Sequence, residues 1–401
     1  MIKMSKYIDL FAGCGGLSLG LYNAGWQGLF AIENSVDAFA TLEHNLIKRR
    51  NHFDWPNWLP IEPHDINKII EKYKKELRNL EGKIHLVAGG PPCQGFSIAG
   101  KRKEDDERNK LVDSYINFIK LIKPTLIFFE NVKGFTAGFK NNETRGKAYS
   151  LYVWESLEAL GYDVYGKVVD FAEYGIPQRR KRFILVGIID GNAESFFDRL
   201  DKNRGKFFKA KGLNLNPILE EAISDLLRKN GFCNSPDSKS FKAGYYSKAK
   251  SDYQRYMRNG ISQNGQLPDS HRFPNHKTQT EEKFRYILSN LSRGKNIVKE
   301  LNGQYKTKKS YVVLLDENQP SPTVTSLPDD YIHYSEPRIL TVREFARIQS
   351  FPDWFKFKGK YTTGNILRRK EVPRYTQVGN AIPPLFAEQC GLVLREYLKN
   401  G

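Results

Sequence analysis

What most constrains this chain is a pattern repeated four times in its first 130 residues: a short apolar run that stops on glycine or a carboxylate. Tyr7-Ile-Asp-Leu-Phe11 runs into Gly13-Cys-Gly-Gly16, and Leu29-Phe-Ala-Ile32 stops at Glu33. His85-Leu-Val-Ala88 meets Gly89-Gly-Pro-Pro92, and Leu126-Ile-Phe-Phe129 ends at Glu130-Asn131. A longer run follows, Phe183-Ile-Leu-Val-Gly-Ile-Ile189. Helical periodicity occupies the intervals, at 17–24, 111–122 and 151–160, the last stopped by Gly161. Strands this short and this uniformly apolar are buried on both faces. Alternating with helices, they predict an α/β fold around a doubly wound, mostly parallel sheet. In such a sheet the ligand crevice lies beyond the carboxyl ends of the strands, where all four polar stops fall.

Length and composition extend the outline. At about 150 residues per domain, 401 residues leave room beyond one sheet. A hydrophobic fraction of 40% with 27% charge excludes wholesale disorder. The 4 Cys, at 14, 93, 233 and 390, have neither metal-ligand spacing nor the pairing of a disulfide framework, so no metal is expected. The N-terminus lacks a signal-peptide core, and no apolar run nears the ~18 residues of a membrane span. These features predict a soluble intracellular chain. Its formal charge of +18 favours a polyanionic partner. From about 190 to 335 Lys, Asn, Ser and Tyr become frequent and strand signals fade, as expected of a second, smaller, loop-rich domain. Thr341-Val-Arg-Glu344 then reads as a capping box opening an amphipathic helix with Val342, Phe345, Ala346 and Ile348 on its apolar face. A final helix over 384–398 is apolar enough to dock.

Several residues could carry chemistry. The Gly13–Gly16 turn departs from the dinucleotide fingerprint G-x-G-x-x-G, with Ser18 at its third glycine. Glu33, twenty residues after Gly13, sits where an acid holds ribose hydroxyls; an adenosine-containing cofactor fits, with NAD and S-adenosylmethionine not distinguished. Cys93 follows two prolines between glycines, a stiff frame suited to an exposed nucleophile. Glu130 leaves an apolar strand partly desolvated, placed to donate or share a proton. In Gln178-Arg-Arg-Lys-Arg182, alternation points Gln178, Arg180 and Arg182 one way and the intervening cations the other.

Taken in order, six motifs resemble the cytosine-5 DNA methyltransferases: Asp9-Leu-Phe-Ala-Gly-Cys-Gly-Gly16, Gly90-Pro-Pro-Cys-Gln94, Glu130-Asn-Val132, Tyr174-Gly-Ile-Pro-Gln-Arg-Arg-Lys-Arg182, residues 338–352, and Gln377-Val-Gly-Asn-Ala-Ile-Pro383. The resemblance implies a Rossmann-like catalytic domain over 1–189 plus 375–401, and a target-recognition domain with hinge over 190–374. It implies S-adenosylmethionine as cofactor. Phe11 would lie beside it, Glu33 on its ribose and Asp65 near its adenine amine. Gly13, Gly15, Gly16, Leu17, Ile66, Pro92, Leu111, Asn380 and Ala381 match further cofactor-contacting positions. Cys93 matches the nucleophile and Glu130 the acid that engages the target base. Arg180 and Arg182 match the arginines of the Gln-x-Arg-x-Arg element and are expected, with Cys93 and Glu130, among the catalytic residues, an arginine lying at O2 of the target base.

The implied reaction is methyl transfer to C5 of a cytosine in double-stranded DNA, after attack of Cys93 on C6. The base must leave the stack for this, at ~ a few kcal/mol. Residues 99–109, directly after the Cys loop, are expected to form a mobile lid. In the middle region, Tyr245-Tyr-Ser-Lys-Ala-Lys250 and Gln254-Arg-Tyr-Met-Arg258 carry donors suited to phosphates and base edges. The expected setting is a monomer in the prokaryotic cytoplasm, the modification half of a restriction–modification pair. An RNA cytosine-5 methyltransferase of the same fold and a non-catalytic DNA-binding relative are the competing readings. Against the first stands the long basic middle region, and against the second the intact Cys93, Glu130 and Arg182.

Overall fold

The computed structural model describes residues 5–92, 110–136, 149–261, 267–363 and 371–398. The chain packs as two compact units, the first comprising Met1–Asp170, Lys181–Arg204 and Pro384–Gly401, the second Phe171–Arg180 and Gly205–Pro383. These are packing boundaries. The functional boundaries expected at 189/190 and 374/375 concern roles.

The first unit begins β1 (Lys6–Leu10), α1 (Gly16–Asn23), β2 (Gln27–Ile32), α2 (Val36–Leu42), α3 (Ile66–Lys72), α4 (Lys74–Arg78), β3 (Leu86–Gly89), α5 (Lys110–Ile122), β4 (Leu126–Val132), α6 (Tyr149–Glu158) and β5 (Asp163–Asp170). The two-residue β6 (Gln178–Arg179) belongs to the second unit, and β7 (Lys181–Ile188) returns to the first, followed by α7 (Glu194–Ala210). Six strands form one sheet in the order β2-β1-β3-β4-β7-β5. Pairs among β1 to β4 are parallel, whereas β7 runs antiparallel to both β4 and β5. The fold is thus α/β with a mostly parallel sheet. Its inner strands are largely apolar because both faces are covered: Ile8, Leu10, Val87, Ile127, Phe129 and Leu185 share one buried cluster, and Tyr7, Leu86, Ala88, Phe128 and Val186 are buried on the opposite face. The C-terminal helix Pro384–Tyr397 docks against α1. Trp26 Nε1 donates to Gly391 O at 2.8 Å and Arg395 Nη1 to Ala24 O at 2.7 Å.

Register explains how this unit builds a working edge. Leu10 pairs with Ile32 on one side and Gly89 on the other, and Gly89 pairs with Phe129. Four strands therefore end nearly level, and whatever follows each of them emerges at the same edge.

The second unit contains short elements: α8 (Leu219–Ile223), β8 (Phe232–Asn234), β9 (Lys242–Gly244), α9 (Asp252–Met257), α10 (Thr278–Asn290), α11 (Val298–Leu301), β10 (Val313–Leu314), β11 (Ser321–Pro322), β12 (Tyr331–Ile332), α12 (Val342–Ile348) and α13 (Arg374–Asn380). Its strands pair only in twos, β8 with β9, β10 with β12, and β11 with β6. The capping box at α12 forms: Thr341 Oγ1 accepts from Glu344 N at 3.2 Å, and Glu344 Oε2 accepts from Thr341 N at 2.7 Å. The helix is not amphipathic in its surroundings, however, because Arg343, Glu344 and Arg347 are as buried as its apolar residues. Arg347 reaches both oxygens of Asp353, at 2.5 and 2.6 Å, and Asp225 Oδ2 at 3.2 Å. Arg343 binds Asp269 Oδ2 at 3.2 Å. A charged face can be buried when its partners are buried with it.

Candidate active site

At the level edge of the sheet, the glycine turn after β1 is tied to the end of β2. Gly13 N donates to Glu33 Oε2 at 2.8 Å, and Ser35 N donates to Glu33 Oε1 at 2.7 Å. One carboxylate thus pins two loops. Burial pushes its pKa up, opposed by these backbone donors. Gly15 caps α1 at φ 93°, a conformation few side chains tolerate, and Phe11 holds φ 58° although it is not glycine. Ser18, the departure from the dinucleotide pattern, is fully buried and donates to Asp9 Oδ2 at 2.5 Å. Leu17 is buried behind it. Asp65 caps α3, its Oδ1 accepting from Asn67 N at 2.9 Å and Lys68 N at 3.2 Å, with Ile66 buried beside it. His64 N donates to Glu33 O at 2.8 Å, and Ser114 Oγ donates to Asn67 Oδ1 at 2.6 Å. These two bonds tie the Asp65 loop to Glu33 and α3 to α5, the helix that carries Leu111. Phe11, Gly13, Gly15, Gly16, Leu17, Glu33, Asp65, Ile66 and Leu111 therefore belong to one connected set of loops and helix starts.

The set can accept a hydroxyl-bearing cofactor. A Cβ on Gly13 would meet nothing within 4 Å, so the glycine turn faces open space, and Glu33 beside it accepts one backbone N–H on each oxygen and keeps further lone pairs. Open backbone beside such a carboxylate suits a group that brings donors, as the ribose hydroxyls of S-adenosylmethionine would.

The second half of the edge is built on β3, β4 and β7. Glu130 pairs with Ile184, and Arg182 with Val132 two residues on, so the two side chains lie diagonally across neighbouring strands. Arg182 Nε contacts Glu130 Oε1 at 3.0 Å, both side chains being mostly buried. Desolvation lowers the arginine's pKa and the Glu130 carboxylate opposes it. A Cβ on Gly90 would come within 2.8 Å of Glu130 Oε2 and 3.2 Å of its backbone O, so any side chain at this position would push the carboxylate aside. Asn131, nearly fully buried, donates from Nδ2 to Pro91 O at 3.3 Å and fixes the loop that leads through exposed Pro92. Cys93 itself, and the segment 99–109, lie outside the described residues.

Arg180 and Arg182 part company. Burial alternates from Gln178 to Arg182 as a period of two requires, but the chain changes unit between Arg180 and Lys181. Arg180, 2% exposed, donates to Val324 O at 3.0 Å and Gly379 O at 2.7 Å. Asn380 and Ala381, at the end of α13, also belong to the second unit and are exposed and half-buried. Two of the remaining cysteines are poor nucleophiles. Cys14 is buried in the glycine turn, which pushes its thiol up to about 12, and burial raises Cys390 as well. Cys233, on β8, is half-buried. Among the described residues no cluster of His, Cys, Asp and Glu could hold a metal, and no helix is long and apolar enough to cross a membrane.

Sequence reasoning passed over Asn131, Gly90 and Gln349 as individual contributors. Asn131 and Gly90 lay inside quoted motifs, so their neighbours were the signal. Gln349, which follows the last residue of α12, carried no local signal beyond closing an amphipathic helix.

Comparison with known proteins identifies the family. The profile of the C-5 cytosine-specific DNA methylases matches residues 5–395. Type II methyltransferase M.DdeI of Desulfomicrobium norvegicum is 30% identical over 413 residues, covering 98% of this chain and 89% of that protein. Type II methyltransferase M.XorII of Xanthomonas oryzae pv. oryzae is 30% identical over 411 residues, covering 96% and 83%. Among solved structures, one described as a prophage-encoded DNA modification methyltransferase from E. coli superposes with a TM-score of 0.67 at 24% identity, covering 98% of this chain and 99% of that one.

Proposed function

The chain belongs to the C-5 cytosine-specific DNA methylase family and is a DNA (cytosine-5)-methyltransferase of the restriction–modification type; from that premise we propose that it uses S-adenosylmethionine to methylate a cytosine flipped out of duplex DNA, with Cys93 as nucleophile. The observation that carries the reading is the Glu130–Arg182 pair at 3.0 Å beneath Gly90, three residues before that cysteine.

C5 of cytosine is a weak nucleophile. The Cys93 thiolate bonds to C6 and the C5=C6 electron pair moves onto C5. Glu130, held by Arg182, engages N3 and meets the charge developing on the ring. The bound cofactor supplies an electrophilic methyl group on a sulfonium. Once C5 carries the methyl group, its proton passes to a solvent base, the electrons of the C5–H bond restore the double bond, and the Sγ–C6 bond breaks to free the thiolate. Phe11, Gly13, Gly15, Gly16, Leu17, Glu33, Asp65, Ile66, Pro92, Leu111, Asn380 and Ala381 hold the cofactor, Glu33 taking the ribose hydroxyls. Residues 190–374 read the target sequence, and the segment 99–109 closes over the extruded base. The enzyme acts as a monomer in the prokaryotic cytoplasm, protecting host sites from a partner endonuclease.

Sequencing methylated cytosines in DNA from cells expressing the chain identifies the target. A duplex of that sequence carrying 5-fluorocytosine, incubated with the protein and S-adenosylmethionine, should then form a denaturant-resistant complex that Cys93→Ala abolishes. Methylation at undiminished rate by the alanine variant, or no trapped complex with the unaltered chain, overturns the mechanism.

A further inference from the structure

The carbonyls on either side of Asn380 are held by two buried side chains. Gln349 Nε2 donates to Val378 O at 2.8 Å and to Ala381 O at 3.0 Å, while Arg180 Nη2 donates to Gly379 O at 2.7 Å. α13 ends at Asn380, and the last carbonyls of a helix have no partners within it. Arg180 supplies the partner of Gly379 O, Gln349 adds a second donor to Val378 O, which also accepts from Ala381 N at 3.2 Å, and the arginine places a cation at the negative end of the helix. Both caps are held in turn. Gln349 Oε1 accepts from Gln178 Nε2 at 2.7 Å, Gln178 Oε1 accepts from Val324 N at 2.9 Å, and Arg180 Nη1 donates to Val324 O at 3.0 Å. The result is a closed circuit of hydrogen bonds through Val324. A Cβ on Gly379 would meet Thr325 O at 2.6 Å, so the backbone is pressed against the same segment.

Burying two amides and a guanidinium is costly, and a network this enclosed specifies one arrangement of what it touches. Gln178 and Gln349 are 0% exposed and Arg180 2%, whereas Asn380 lies at the surface. The buried groups fix an exposed side chain at the end of a short helix.

We propose that Gln349 and Arg180 are positioning residues for the cofactor, acting through Asn380, so that the two arginines of the Gln-x-Arg-x-Arg run serve different ends: Arg182 holds the acid Glu130, and Arg180 caps α13. This rests on Asn380 being a cofactor-contacting residue.

The test is a double-mutant cycle on the full chain, read as the Kd for S-adenosylmethionine by calorimetry without DNA, and as KM and kcat with target duplex. Asn380→Ala should weaken cofactor binding about tenfold, and Gln349→Met, which removes both donors without changing length much, by about five- to tenfold. The double variant should bind no more weakly than the weaker single within about twofold, since both changes act on one contact. At saturating cofactor kcat should stay within about threefold of the unaltered enzyme. Should Gln349→Met fail to fold, Arg180→Lys carries the same test, with an expected rise in Kd of about threefold. Multiplying single effects in the double variant, an unchanged Kd in Gln349→Met or Asn380→Ala, or a fall in kcat with unchanged Kd in Arg180→Lys overturns the proposal. If the unaltered chain itself does not bind S-adenosylmethionine, the cofactor assignment falls first.

Discussion

Asp9 offers a sharp test of the energetics at the sheet edge. It lies in β1, 1% exposed, with Oδ2 accepting from Ser18 and Oδ1 unpartnered among the described residues. Burial pushes its pKa from 3.8 up to about 7, with Glu33 adding to the rise and Ser18 opposing it. A carboxyl raised on folding contributes stability that is fully present below its unfolded value and is lost as pH climbs through the folded one. Between pH 5 and 8 the loss integrates to about 2–3 kcal/mol, taking 1.36 kcal/mol per pKa unit. Asp9→Asn keeps the shape and does not titrate in this range. The unaltered chain should therefore lose about 2–3 kcal/mol relative to the variant on going from pH 5 to 8. Glu33 and Glu344, also raised by burial, titrate in both proteins and largely cancel. Urea unfolding followed by tryptophan fluorescence measures this, because Trp26, Trp55, Trp58 and Trp154 report the first unit and only Trp354 the second. A stability difference that stays constant within about 0.5 kcal/mol across that range would refute the reasoning.

Gly90→Ala places a Cβ 2.8 Å from Glu130 Oε2 and 3.2 Å from its carbonyl, and should displace the carboxylate. Relieving the contact moves the carboxylate by about half an ångström, so methylation should fall about tenfold, less than the hundredfold of a 1 Å misplacement, while the melting temperature stays nearly unchanged; full activity would show that the Glu130 position is not critical. Arg347→Met removes the guanidinium that the buried Asp225 and Asp353 share, leaving Arg258 on Asp225 and Arg343 Nη1, at 3.7 Å, on Asp353. Chemical denaturation should show a loss of about 2–3 kcal/mol, below the 3–5 kcal/mol of a fully broken buried pair, and a loss under 1 kcal/mol would mean that the network contributes little.

The first four strands were legible because each is a local statement, an apolar run closed by glycine or a carboxylate, and their level ends follow from parallel pairing. β5 was not legible, since its sequence Asp163-Val-Tyr-Gly-Lys-Val-Val-Asp170 is an edge strand with mixed exposure and carries no continuous apolar run. The antiparallel setting of β7 was equally hidden, because direction depends on where the chain re-enters the sheet. In the second unit the partners of α12 come from residues 225, 269 and 353. Charges that neutralise one another from such separations look, in sequence, like solvent-facing charges.

The run from Gln178 to Arg182 shows where local reasoning stops. Alternation assigns Arg180 and Arg182 to one face, and burial follows that alternation. Yet β6 pairs with Ser321 and Pro322, whereas β7 pairs with β4 and β5, and the break falls between the two arginines. Two identical residues two positions apart thus enter different hydrogen-bond networks, one meeting a carboxylate and the other meeting carbonyls. A guanidinium beside a carboxylate is suited to electrostatics at a reacting base. One directed at helix-end carbonyls in a closed circuit is suited to holding backbone still. Removal of Arg182 should therefore fall on kcat and removal of Arg180 on cofactor affinity, a division that the shared motif alone conceals.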